Sequence, residues 1–175
     1  MTKPVYGRPS ATEYAAFYAG YIAGVPDGDL LQILSAQRHE TAELLERLPE
    51  ERGNYAYAPG KWALKEVVGH IADAERVFSY RALRFARGDE TELAGFDENK
   101  WVPQSGATAR TLSDLAGELG QVRGATLSLL AHLPADVVMR RGTANGNPVT
   151  VRAIAWIIAG HERHHLRILR ERYLT

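Results

Sequence analysis

From Leu112 to Leu133 the chain places Leu112, Leu115, Leu119, Val122, Leu129 and Leu133 in alternating steps of three and four, with Thr126 completing the series. That spacing returns each side chain to one stripe of a helix, whereas a half-buried strand alternates at every second residue. A helix with a single apolar stripe is stable only against partners that cover it, so the rest of the chain has to supply them. Three other long segments do so. One follows a cap at Asp27 or Asp29 and runs Leu30, Leu34, Leu44 or Leu45, Leu48 to Pro49. The next begins near Trp62 and ends at about Arg87 before Gly88, with Ala63, Val67, His70, Ala74 and Val77 inward and Ile71 and Phe78 beside them. The last is capped by Thr150 and reaches about Tyr173.

A short helix precedes these four, announced by the capping box Ser10-Ala11-Thr12-Glu13 and carrying Tyr14, Phe17 and Tyr21 on one side. No segment shows strand alternation, and Asn145-Gly146-Asn147-Pro148 reads as a break between helices. The expected fold is therefore all-α: a four-helix bundle with a short N-terminal helix, one domain over residues 1–175. The connection from Gly88 to Arg110 is far longer than a helical hairpin needs, and predicts one crossover between the second and third long helices.

Composition narrows the chemistry. At 175 residues and 45% hydrophobic content the chain can bury a substantial core without staples. Its 21 Lys plus Arg balance 21 Asp plus Glu, leaving no broad positive field for nucleic acid or an anionic membrane. With no cysteine, thiolate nucleophiles, iron–sulfur clusters and Cys-type zinc sites are excluded, and any metal must be held by His or carboxylate. The stretch Met1 to Gly7 lacks the apolar core of a signal peptide, and the longest apolar run, Ala153 to Ala159, is too short to span a bilayer. A soluble, cytoplasmic protein is expected.

Three of the six histidines, His161, His164 and His165, fall on one turn of the last helix. With His161 at zero and 100° per residue, Ile154 lies at about 20°, Ile157 at about −40°, Ile158 at about 60° and Ile168 at about −20°. His161 thus sits mid-stripe. His165, at about 40°, is its inward i, i+4 partner, and His164, at about −60°, falls at the edge of the apolar arc. His70 occupies the inward line of its own helix. A depth match in an antiparallel neighbour sets Gln37 and Thr41, two polar residues on the first helix's stripe, at the level of His70. A layer holding all of these is costly without partners, and three neutral imidazoles around one divalent ion remove much of that cost. The blander reading is a set of separately hydrogen-bonded histidines, with His164 and His165 complementing the helix dipole. Glu66 and Asp73, about one turn either side of His70, are candidates to orient a ligand or accept a proton, or are simply solvated carboxylates. Glu162 points about 100° from His161 and is a weaker candidate. His39 and His132 read as surface residues.

The runs Gly60-Lys61-Trp62-Ala63-Leu64-Lys65-Glu66-Val67-Val68-Gly69-His70-Ile71-Ala72-Asp73-Ala74-Glu75-Arg76 and Ile158-Ala159-Gly160-His161-Glu162-Arg163-His164-His165-Leu166-Arg167-Ile168-Leu169, with Tyr80-Arg81-Ala82-Leu83 and Tyr21-Ile22-Ala23-Gly24-Val25-Pro26, closely resemble the DinB/YfiT-like family of metalloenzymes. The resemblance implies an up-down-down-up bundle, usually dimeric, holding zinc, nickel or a similar divalent ion such as manganese or iron. Carried across, the ligands are His70, His161 and His165. Family members include transferases of low-molecular-weight thiols such as bacillithiol, a mycothiol-dependent maleylpyruvate isomerase, proteins described as metal-dependent hydrolases, and proteins named for induction by DNA damage.

Three functions follow from an open three-His site. A thiol S-transferase would bind an external thiol on the ion and present the thiolate to an electrophile, the reading placed first. A hydrolase would use the same ligands to activate water, with a carboxylate as base. A stress or binding protein would keep the bundle without turnover. A homodimer is expected from the resemblance, with Tyr14, Phe17, Tyr18 and Tyr21 as a weaker physical cue; these aromatics otherwise cover one end of the bundle.

Overall fold

The computed structural model describes residues 4–174, so Met1 to Lys3, the start of the N-terminal stretch read above, lie outside the described residues. Four long helices form the body: α2 (Leu30–Glu46), α3 (Leu64–Ala86), α5 (Leu112–Ala131) and α6 (Val151–Ile168). Shorter α1 (Ala19–Ala23) follows two 3-10 turns, and α4 (Glu98–Trp101) lies in the crossover. Side-chain caps start three of the long helices, at Asp29 and Thr150 as the sequence predicts and also at Thr111. Asp29 accepts from Leu31 N–H at 2.9 Å, Thr111 from Asp114 N–H at 3.1 Å and Thr150 from Ala153 N–H at 3.1 Å. Gly88, at φ 77°, supplies the left-handed residue that ends α3. Beyond α6 the chain widens into a π-helical turn, Leu169–Tyr173.

The core consists of two apolar clusters, and their membership fixes the helix directions. Leu30 and Leu34 of α2, Phe78 to Ala86 of α3, Leu130 of α5 and Val151 to Ala159 of α6 share one cluster. Leu45, Leu64 to Ala72, Leu112 to Leu119, and Leu166 with Leu169 share the other. Helices α2 and α6 therefore run from the first cluster to the second, and α3 and α5 run the opposite way. This is the up-down-down-up bundle, with the 88–110 connection carrying the chain back between parallel α3 and α5.

Two local expectations are corrected. The segment read as a bare break is a β-hairpin, β1 (Arg141–Ala144) antiparallel to β2 (Asn147–Thr150). Asn145 and Gly146 adopt φ 52° and 71°, the positive values of a two-residue hairpin turn. Leu93 of the crossover bonds to Thr143 and Asn145, docking that loop on the hairpin. The stripe of α5 also drifts: beyond Leu119 the buried residues are Arg123, Thr126 and Leu130, with Val122 and Leu129 only half-buried. A straight helix of 3.6 residues per turn rotates about 20° per heptad against a strict 3–4 pattern, so the inward position slips one residue later. Helix α3 drifts likewise, burying Phe78 where Val77 was expected. Among the described residues no helix is long and apolar enough to cross a membrane.

Candidate metal centre

His70 lies in the second turn of α3, and His161 and His165 one turn apart on α6, so two facing helices aim three imidazoles at one point. His161 Nε2 is 3.1 Å from both His70 Nε2 and His165 Nε2, and the three donor atoms all lie within 4.8 Å of one another. The His70 and His165 ring centroids are 4.9 Å apart. An sp² ring nitrogen makes one in-plane hydrogen bond, through a proton or a lone pair, so His161 Nε2 cannot satisfy both neighbours. One divalent cation would take all three lone pairs, and this mismatch is the structure's own indication that the donor set suits a metal.

Burial sets the electrostatics. It lowers His70 to about 4, slightly offset by the negative charge of Glu98, and lowers His165 to about 3, reinforced by His70 and His164. His161, most enclosed, is held well below the ordinary value by burial and by its three histidine neighbours. The rings are thus neutral near pH 7, the state in which imidazole ligates metal. Tyr21 packs edge-on against His161 at 5.5 Å and Trp62 lies 4.9 Å from His70, fixing the ring planes. His164 does not join the three. It stands beside His165 and Tyr21 and borders a separate cleft with Arg163, Arg167 and Arg170.

A cleft of about 310 Å³ opens onto His70 and His161, walled by Phe17, Tyr18, Tyr21, Phe78 and Phe96, with Arg81, Glu98 and Asn145 as its polar groups. The N-terminal aromatics are thus largely walls of this cleft, Phe17 alone being well exposed. A second cleft of about 250 Å³ reaches His165 between Tyr57, Trp62 and Tyr173.

The polar candidates find other partners. Glu66 accepts from Ala63 N–H at 2.7 Å and so caps α3. Asp73 pairs with Arg76, which also binds Glu118, on the partly exposed side of α3. Neither carboxylate bonds to a histidine. Gln37 and Thr41 are buried at the predicted depth but serve Glu162, donating to it at 3.1 and 2.6 Å; Gln37 borders only the cleft beside His164, and neither lines the one at His70. Glu162, the weaker candidate, is 1% exposed and also accepts from Arg123 at 2.7 Å. Arg123 further grips Glu75 through two hydrogen bonds, at 2.8 and 2.7 Å. This network was missed because Arg123 and Glu75 lie off the extrapolated stripes. The apolar run Ala153–Ala159 carried the missing signal, since a helix apolar all round is buried all round, and its next polar side chains need internal partners. His39 and His132 are exposed.

A family model described as DinB superfamily matches residues 33–169. The chain is 25% identical over 138 residues to "Putative metal-dependent hydrolase OB0413" of Oceanobacillus iheyensis, covering 78% of this chain and 79% of that one. The solved structure of YfiT from Bacillus subtilis, described as a probable metal-dependent hydrolase with an unusual four-helix bundle topology, superposes with a TM-score of 0.73 at 20% identity, covering 81% of this chain and 82% of that one. The family match takes in α3, α5 and α6 entirely and all but the first three residues of α2, and the fold has the same bundle: the chain belongs to the DinB superfamily.

Proposed function

We propose that the protein is a metal-dependent hydrolase whose single divalent ion is held by His70, His161 and His165. The observation that carries this is the convergence of three neutral ring nitrogens beside an accessible cleft. Zinc and nickel suit imidazole donors, and manganese or iron can occupy the same ligands. Such an ion supplies Lewis acidity, polarising a substrate oxygen and acidifying a bound water or thiol. The chain's own residues do the rest. Burial keeps the imidazoles unprotonated, Tyr21 and Trp62 hold their planes, and the aromatic walls limit water around the substrate. Glu98, the carboxylate that lines the cleft and acts electrostatically on His70, would accept the nucleophile's proton, the role the sequence reading gave to Glu66 or Asp73. The hydrolase descriptions of the two relatives support this reading.

Thiol S-transfer is the second reading. It is favoured by the absence, among the described residues, of a carboxylate hydrogen-bonded to any of the three rings, since an acidified thiol needs no fixed base. With no cysteine in the chain, that thiol is external. Metal-loaded protein assayed on ester, amide and phosphoester panels, with and without low-molecular-weight thiol, separates the readings: turnover without thiol supports hydrolysis, and turnover only with thiol and electrophile supports transfer. Inactivity of fully loaded protein on both panels returns the non-catalytic stress or binding role. His161→Ala should remain folded, bind zinc at least about 100-fold more weakly by chelator competition, and be inactive. Full activity of that variant without metal would overturn the metalloenzyme. The homodimer is proposed on the family resemblance, and sedimentation showing only monomer at micromolar concentration would dispose of it.

A further inference from the structure

Three cationic side chains are buried among the described residues: Lys65, Arg81 and Arg123. Lys65 meets Glu50 at 2.5 Å, and Arg123 meets Glu75 and Glu162 at 2.7 Å. Arg81, at 4% exposure, has no carboxylate within 4.0 Å among the described residues. It donates to the Ala94 carbonyl at 2.9 Å, interacts with the Tyr18 hydroxyl and packs 5.8 Å from the Phe78 ring, which hold the guanidinium in place without neutralising it. A guanidinium 4% exposed, with no carboxylate partner, has lost much of its hydration, and an anion entering the cleft it lines would compensate its charge. The cleft that Arg81 lines is the one that opens onto His70 and His161. Phe78 stands between the two functions, its ring 5.9 Å from that of His161.

We infer that Arg81 is the anion subsite of this cleft and that the substrate is an organic carboxylate with an apolar, aromatic-sized body. Its carboxylate pairs with the guanidinium fork, its body lies along Tyr18, Phe78 and Phe96, and its other end faces the histidines. A monocarboxylate fits better than a phosphate monoester, because Glu98 lines the same cleft and repels additional negative charge. The word substrate rests on the proposed metalloenzyme; the anion site itself does not.

The test is calorimetric titration of the full-length protein, both metal-free and zinc-loaded, with 3-phenylpropanoate, its uncharged amide and 3-phenylpropylamine. The carboxylate should bind at least about tenfold more tightly than the amide, and the amine should not bind. The preference should persist without metal, since Arg81 rather than the ion is the anchor. Arg81→Gln should abolish the preference and leave zinc affinity unchanged, and Arg81→Lys should retain part of it. Equal affinity for acid and amide overturns the inference, as does a preference seen only with zinc or surviving in Arg81→Gln. The wild-type comparison needs no variant, so the inference stays testable if Arg81→Gln fails to fold. Selectivity in metal-free protein also stands apart from any failure of the catalytic reading, which the activity panels judge.

Discussion

Gly160 has no room for a side chain. A Cβ there would stand 2.1 Å from the Tyr21 carbonyl oxygen, a backbone atom that cannot swing aside, so Gly160→Ala must push α1 away from α6. Steric insertion of this kind costs about 1–3 kcal/mol, and the expected result is a urea midpoint lowered accordingly, with the Tyr21 ring displaced from His161. An unchanged midpoint would mean that α1 docks less tightly than the geometry requires. The same turn of α6 shows what a sequence does and does not reveal at this scale. His161 and His165 were legible because helical phase within one segment is local geometry, and four surrounding isoleucines define it. Glu162 was not, because its burial depends on which other helices pack around α6. Arg123 was hidden in a third way: each extra turn multiplies a small error in assumed period, and by the third turn of α5 the predicted inward residue is the neighbour of the real one.

At the scale of elements, the N-terminal segment is tied to the bundle by Tyr6, whose hydroxyl donates to the Leu130 carbonyl and whose own carbonyl accepts from Trp156, and by Glu13. Its carboxylate caps the first 3-10 turn from Ser10 N–H at 2.8 Å, accepts from Thr150 Oγ1 at 2.9 Å and pairs with Arg152 at 2.5 Å. The Arg152 guanidinium, against the opposing effect of burial, holds Glu13 at about 2 rather than its ordinary 4.5. A carboxyl depressed on folding contributes stability above its unfolded value and loses it as pH falls through the folded one, here between 4.5 and about 2. Glu13→Gln should therefore cost on the order of 2 kcal/mol at pH 7 and progressively less toward pH 2, when urea curves are compared with wild type. A deficit independent of pH would show that the tie is not the charge. Element boundaries were mostly readable, because Asp29, Thr111, Thr150 and Gly88 act on their immediate neighbours. The hairpin was read as a bare break although Asn145-Gly146 is a strong hairpin turn, because its four-residue strands are too short to show alternation.

Across the whole molecule, Arg123, Glu75, Glu162, Gln37 and Thr41 form a polar layer that takes side chains from all four long helices and lies between the two apolar clusters. Arg123→Met would strand two carboxylates in that layer, each no more than 2% exposed as residues, and should destabilise the fold by about 3–5 kcal/mol. Adding Glu75→Leu and Glu162→Met should restore most of the loss in thermal melts; failure of the triple variant to recover would show that the layer contributes more than compensated charge. The parallel run of α3 and α5 was legible in the length of the 88–110 connection, which only a crossover needs, whereas the full up-down-down-up order came from the family resemblance, since nothing local to a helix says which way its neighbours run. The crossover that parallel α3 and α5 demand brings a further consequence. The residues that would hold an ion belong to the rigid helices, whereas much of the cleft around them is furnished by the N-terminal segment, the crossover and the hairpin turn. Phe17, Tyr18 and Tyr21 even lie outside the span that matches the family. The three histidines and much of the cleft rim thus come from different parts of the chain, so exchanging the crossover and the hairpin turn between relatives should reshape the cleft while leaving the three rings where they stand.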